Sequence, residues 1–400
     1  MSRPAYEIAD VFRRYGSEFQ GTYARFLGPL QLLVLKALAA CRTSRLGGHV
    51  LECTACGHRK QAYNSCGNRH CPKCQAGERG KWFEDRQQEL LPVEYFHVVF
   101  TLPSELGALT LQNKAVIYNL LFRATSETLT EVAAGWKDLK AKIGFFAILH
   151  TWGQKLDLHP HLHCVVPGGG ISLDGSRWVN CPRGFLMPVK LLSRKFRGKF
   201  LALLKESHRR GELTLKGSLA AYSSQVAFNH WLSPLYSKEW VVYAKPPWNG
   251  PQNVLKYLAR YTHRVAIANE RLLSIDGGQV TFSYKDYRHG QRHRRLTLSA
   301  NEFMRRFMMH VLPSGFVRIR YYGFLANAHR EQQLTKIRQL LNVPEPESTD
   351  QHDRDDSLDQ EQDPALDQCP HCQRGPMRLI EAAPRPTVPQ ILSLPLMVPM

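Results

Sequence analysis

Apolar residues recur at spacings of three and four through Leu30, Leu33, Val34, Ala37 and Leu38, which predicts a helical start over residues 1–46. Arg13, Arg14, Arg25, Arg42 and Arg45 decorate it. The period then shortens. YFHVVFTL (95–102) is a β-rich run ended by Pro103 and reads as a buried strand. A helical pattern returns over 106–139, with Leu120, Leu121, Ala124 and Leu129 as core candidates. Residues 143–152 form a second strand-like run, and the polar loop 153–157 joins it to DLHPHLHCVVPGGG (157–170), so the two strands pair antiparallel. Downstream, ISLDGSRWV suggests a hairpin turning at Asp174-Gly175, and 188–210 a basic helix. A strand at 240–244 leads to a helix opening near Pro251, whose ring suits a first helical turn. Residues 280–284 and 294–298 form a further hairpin, followed by a helix at 301–310, a strand at 316–322 and a helix at 334–341. Such a mixture, with hairpins rather than regular βαβ units, is α+β.

In the strand after the polar loop, alternation turns His161 and His163 to one face and Leu162 to the other. Two imidazoles about 6–7 Å apart at the backbone converge on one ion. The β-branched valines favour the strand, and Pro167 with its three glycines ends it. His159 shares the alternation but lies roughly 13 Å from His163 along a straight strand, and Pro160 suits a first strand position. His150, at the far end of the preceding strand, is placed to face the same ion.

Composition narrows the partner. The formal charge is +19 over 400 residues, but residues 345–367 hold ten acidic residues and one Arg, leaving about +28 on the rest. That excess calls for a polyanion, with nucleic acid the default. The first residues show no cationic start followed by an apolar run. The longest apolar segment, 30–41, is broken by Lys36 and too short to span a bilayer. A cytoplasmic, DNA-associated protein without membrane partner or small-molecule substrate is expected. Its ten cysteines then stay reduced and available to metal. Cys53-x-x-Cys56 and Cys71-x-x-Cys74 flank 14 residues, a spacing that predicts one four-sulfur structural zinc site. Cys66, His58 and His70 are left to ordinary packing, and Cys369-x-x-Cys372 supplies half a site.

In the helix from Pro251, Tyr257 and Tyr261 stand four apart on one face, beside a basic row of Lys256, Arg260 and Arg264. Two stacked phenols beside a cationic stripe suit attack on a phosphodiester. Arg318 and Arg320, in the aromatic run FVRIRYY, suit tracking a single strand.

HPHLHCVVPGGG, YLARYTHRVAIAN, VTFSYKDYR and LPSGFVRIRYYGFLAN, behind NSCGNRHCPKCQ, resemble the IS-ninety-one-like insertion-sequence transposases over residues 15 to 330. These are rolling-circle, two-tyrosine members of the HUH (His-hydrophobic-His) endonuclease superfamily. The resemblance implies an HUH core with a central antiparallel sheet flanked by helices, preceded by a helical zinc-binding domain. It implies Mg²⁺ or Mn²⁺ on His161 and His163. It implies a third polar ligand as well, for which His150 is the candidate, with Gln154 and His159 as alternatives. It also implies a 5′-phosphotyrosine formed by Tyr257 or Tyr261 at single-stranded insertion-sequence ends. The domains expected are 1–95 (helical, zinc- and DNA-binding), 96–342 (catalytic) and 343–400 (acidic linker and tail). A replication initiator or relaxase shares this chemistry; a zinc-dependent DNA-binding protein without catalysis needs no paired tyrosines. A metallohydrolase using H-x-H wants an acidic residue where this chain has Val165.

Overall fold

The alternation of residues 143–166 is realised as two long paired strands. In the computed structural model, which describes residues 4–75, 88–245, 265–287, 290–344 and 368–396, Phe145–Trp152 runs antiparallel to Leu158–Pro167, setting Ile148 opposite His163 and His150 opposite His161. Tyr95–Thr101 pairs on the other side of Leu158–Pro167, with Val99 opposite His163 and His97 opposite Val165. Val242–Lys245 and Ile319–Tyr322 form the two edges of this five-stranded antiparallel sheet.

The period of two divides the sheet into a face for packing and a face for chemistry. Phe96, Phe100, Phe145, Leu149 and Leu162 point into one core, where helices Lys114–Gly135, Val189–Arg209 and Gln225–Ser237 contribute Leu121, Phe122, Phe196, Phe200 and Phe228. Full burial of each such side chain stabilises by about 1.5–3 kcal/mol. The opposite face buries Tyr95, Phe146, Ile148 and Val165 under Leu334 and Ile337 of helix Arg330–Leu340. The histidines occupy the remainder of that second face.

Pro160 lies inside its strand rather than at the start, with its carbonyl accepting from the Leu102 N–H at 3.0 Å. The three glycines do more than end a strand. Gly169 and Gly170 open the strand Gly169–Ser172, which pairs with Ala141–Lys142 and Trp178–Asn180. A Cβ on Gly169 would lie 2.5 Å from the Val179 carbonyl oxygen, and one on Gly170 2.6 Å from that of Lys142. Close backbone approach is their reason.

The chain divides into two compact units that do not follow the contiguous boundaries at 95 and 342. The sheet just described belongs to Gly77–Ala266 with Leu312–Pro346. The other unit joins Met1–Ala76, Ile267–Val311 and Glu347–Met400. Distant segments complete its core. Phe307 of helix Ala300–Met309 meets Phe12 of helix Ile8–Tyr23 edge-on at 5.2 Å, and the Asn269 side chain accepts from the Ile8 N–H at 2.9 Å. The hairpin predicted near 280–298 is the pair Gln279–Asp286 and Arg292–Ser299, joined by Leu272–Asp276. Strand Met377–Ala383 pairs with Gly48–Cys53, so this part of the segment after residue 367 is built structure rather than a loose tail. Among the described residues no helix is long and apolar enough to cross a membrane.

Candidate metal centres

His150, His161 and His163 come together on the second face of the sheet, with one ligand atom of each within 4.8 Å of the others. Register explains it: His150 is directly across from His161, and His163 follows two positions on. The His161 and His163 Nε2 atoms are 3.1 Å apart, and the His150 ring stacks on Trp152 at 4.6 Å. His159 is exposed and stays outside the cluster, but its carbonyl accepts from His161 Nδ1 at 2.6 Å. That bond leaves the His161 Nε2 lone pair directed at the cluster.

His97 is the residue that spacing did not reveal. Its Nε2 lies 2.7 Å from His163 Nδ1, the two rings nearly parallel at 8°. Two proton arrangements are consistent with this chain of rings. In one, His97 donates to His163, which donates to His161. In the other, His163 donates from Nδ1 to His97, and both facing Nε2 atoms present lone pairs to a common point. The second arrangement is the one a cation selects. Burial pushes the His161 pKa down to about 3; burial and then the Lys245 charge push that of His97 down to about 4. Neutral imidazoles near pH 7 are the ligand form, and the donor set fits a divalent ion. Replacing His97 with Leu will weaken Mn²⁺ binding about tenfold, measured by electron paramagnetic resonance titration. Glutamine, which can still accept the His163 proton, will restore part of it.

The cysteines are regrouped. Cys71 and Cys74 join Cys41 and Cys66, and Cys53 and Cys56 join Cys369 and Cys372, as two clusters of four sulfurs, each within 4.8 Å. The single site expected from the two knuckles is therefore corrected: hairpin Gly48–Cys53/Arg59–Tyr63 ties Cys53 and Cys56 to the C-terminal knuckle. In the first cluster Cys71 Sγ is 3.6 Å from Cys41 Sγ, and Cys66 Sγ 3.6 Å from Cys74 Sγ. Cys41 ends helix Pro29–Ala40 and has no partner knuckle in sequence, which is why spacing missed it. Both clusters fit zinc, and no cysteine is in a disulfide. Backbone amides of Arg374 and Gly375 hold the Cys372 thiol down to about 6, within reach of the thiolate a metal takes.

Tyr257, Tyr261, Lys256, Arg260 and Arg264 lie outside the described residues. Arg320 pairs opposite Ala147, which puts it on the helix-covered face, away from the histidines. Its guanidinium sits 4.1 Å over the Phe122 ring and donates to Asn119 at 2.5 Å. The carbonyl of Arg318 accepts from the Leu149 N–H.

Comparison with known proteins decides the family. A domain described as "Transposase zinc-binding domain" matches residues 11–102, and one described as "Putative transposase" matches 144–333. "Putative transposase y4qJ" of Sinorhizobium fredii is 52% identical over 387 residues, covering 95% of this chain and 96% of the relative. The chain belongs to the IS91-like transposases. The "Transposase for insertion sequence element IS801" of Pseudomonas savastanoi pv. phaseolicola is 28% identical over 329 residues, covering 81% of this transposase and 77% of that relative. No solved structure matches it. The first four-cysteine cluster lies within the matched zinc-binding region, whereas Cys369 and Cys372 of the second lie far beyond it.

Proposed function

We propose that this transposase nicks and rejoins single-stranded DNA at insertion-sequence ends by the HUH chemistry, through a 5′-phosphotyrosine, and so drives rolling-circle transposition. The observation that carries this reading is the cluster of His150, His161 and His163 on a rigid antiparallel sheet. These three residues would hold Mg²⁺ or Mn²⁺, which would supply Lewis-acid polarisation of the scissile phosphate. Leu162, buried on the opposite face, fixes the strand that presents two of them. His159 and His97 set the tautomers that keep both Nε2 atoms available. The phenolic oxygen of Tyr257 or Tyr261 attacks phosphorus and gives up its proton, a P–O bond to the tyrosine forms, and the bond to the 3′ oxygen breaks. The departing 3′ oxygen gains a proton in exchange and leaves as a 3′-hydroxyl. Attack by a 3′-hydroxyl on the phosphotyrosine reverses the sequence and needs no nucleotide cofactor. The second tyrosine lets the enzyme hold a second 5′ end. Lys256, Arg260 and Arg264 neutralise phosphates beside the nucleophiles.

The test is a cleavage assay on a single-stranded terminal oligonucleotide with Mg²⁺ or Mn²⁺, scoring the covalent adduct on a denaturing gel. His161→Ala will lower adduct formation by at least about 10²-fold while DNA binding is retained. Full adduct formation by His161→Ala refutes the reading.

A further inference from the structure

We propose that Cys53, Cys56, Cys369 and Cys372 form a second structural zinc site, which staples the C-terminal segment onto the zinc-binding domain. The two halves are 313 to 319 positions apart in sequence, yet Cys53 Sγ lies 3.6 Å from Cys372 Sγ, and Cys56 Sγ 3.7 Å from Cys369 Sγ. Those spacings exclude a disulfide bond and suit thiolates around one tetrahedral ion.

The halves are built alike. In each, the amide of the residue after the second cysteine returns to the carbonyl of the first: Gly57 N–H to Cys53 at 3.0 Å, Gln373 N–H to Cys369 at 2.9 Å. Both of those residues hold positive φ, +67° at Gly57 and +55° at Gln373. A glutamine forced into the left-handed region costs free energy, and the turn it makes is the one that directs both thiols to one side. The two knuckles also close on each other. His58 stacks on His371 at 5.3 Å, and the Thr54 N–H donates to the Pro376 carbonyl at 3.1 Å. A Cβ on Gly375 would lie 2.9 Å from Cys53 Sγ and 2.6 Å from the Ala55 Cβ, so the chain there is fitted against the sulfur.

Other contacts dock this segment beside the cluster, among them the Asn64 side-chain amide, which donates to the Ala383 carbonyl at 3.1 Å. Strand Met377–Ala383 pairs with Gly48–Cys53 from the Cys53↔Met377 position onward, yet its side chains are mostly exposed, Leu379 by 56%. Beyond it Arg385 donates to the Cys66 carbonyl, and Ile391 of helix Val388–Ser393 is buried against helix Pro29–Ala40. The segment thus bears on both clusters, and the zinc at its root holds it in place.

Metal content separates this from a one-zinc domain. Full-length protein carrying H161A and H163A, which remove the histidine cluster, will hold two zinc ions per chain by plasma mass spectrometry. Adding C369S and C372S will lower that to one. Trypsin will then cut after Arg374 and Arg378 at least about tenfold faster. One zinc in the parent, or two in the C369S/C372S chain, overturns the proposal. Should C369S/C372S lose both ions through misfolding, the cadmium-113 spectrum of the parent decides: two four-sulfur resonances uphold the staple, and one overturns it.

Discussion

Tyr257→Phe combined with Tyr261→Phe will abolish the covalent DNA adduct, a loss on the order of 10³-fold or more, while zinc content, Mn²⁺ affinity and binding of the uncleaved oligonucleotide stay within about twofold. Phenylalanine keeps each ring and its packing volume and removes only the oxygen that attacks phosphorus, so a fold defect is not the expected route to inactivity. The single variants carry the finer information. In the helix that the sequence predicts, a spacing of four would put the two phenols on one face, one turn apart. If one tyrosine performs the first cleavage, its single variant will lose the adduct on a donor end, and the other will lose only the strand passed to a second end. A double variant that still forms a denaturation-resistant adduct would show a different nucleophile, and the proposed chemistry would fall with it. Combining Tyr257→Phe and Tyr261→Phe with His161→Ala adds nothing further if the groups act in one step.

The histidine cluster was legible because a strand encodes its facing in the sequence. Alternation aligned His161 with His163, and the short polar loop 153–157 made Phe145–Trp152 the antiparallel neighbour that brings His150 across. His97 was hidden for the converse reason. Within YFHVVF nothing marks one polar residue in an apolar run as functional, and only the register of Tyr95–Thr101 brings it diagonal to His163. The cysteines failed differently. Spacing along the chain treats the nearest knuckles as partners, but a hairpin that carries Cys53 and Cys56 and recruits Met377–Ala383 as its third strand obeys pairing in space. Cys41 and Cys66 come from a helix end and a loop, with no local motif to announce them. The same physics broke the contiguous domain boundaries: the apolar face of Ile8–Tyr23 needs Phe307 to cover Phe12, and that residue arrives from the other half of the chain.

The separation of the two chemistries gives the second large effect. Cys71→Ser will release one zinc and lower the melting transition of the unit that contains it by on the order of 10 °C or more, followed by calorimetry or far-ultraviolet circular dichroism. Cys41, Cys66 and Cys71 are buried, and four sulfurs within 4.8 Å are tolerable as thiolates only around a cation. Serine removes the strongest kind of ligand at a position where water does not replace it, and the remaining three thiolates then repel one another across a few ångströms. Helix Pro29–Ala40, which ends at Cys41, and the knuckle that follows Asn68 lose the ion that joins them. A chelator added to the unsubstituted protein will reproduce the shift. Cys181, buried but in neither cluster, will leave zinc content unchanged when replaced by Ala. Because His150, His161 and His163 belong to the other compact unit, Cys71→Ser will leave Mn²⁺ titration of the histidine cluster within about twofold of the parent. Loss of Mn²⁺ binding in Cys71→Ser would mean that the zinc site organises the histidine-bearing sheet as well as its own domain, and the two metal centres would have to be treated as one cooperative structure.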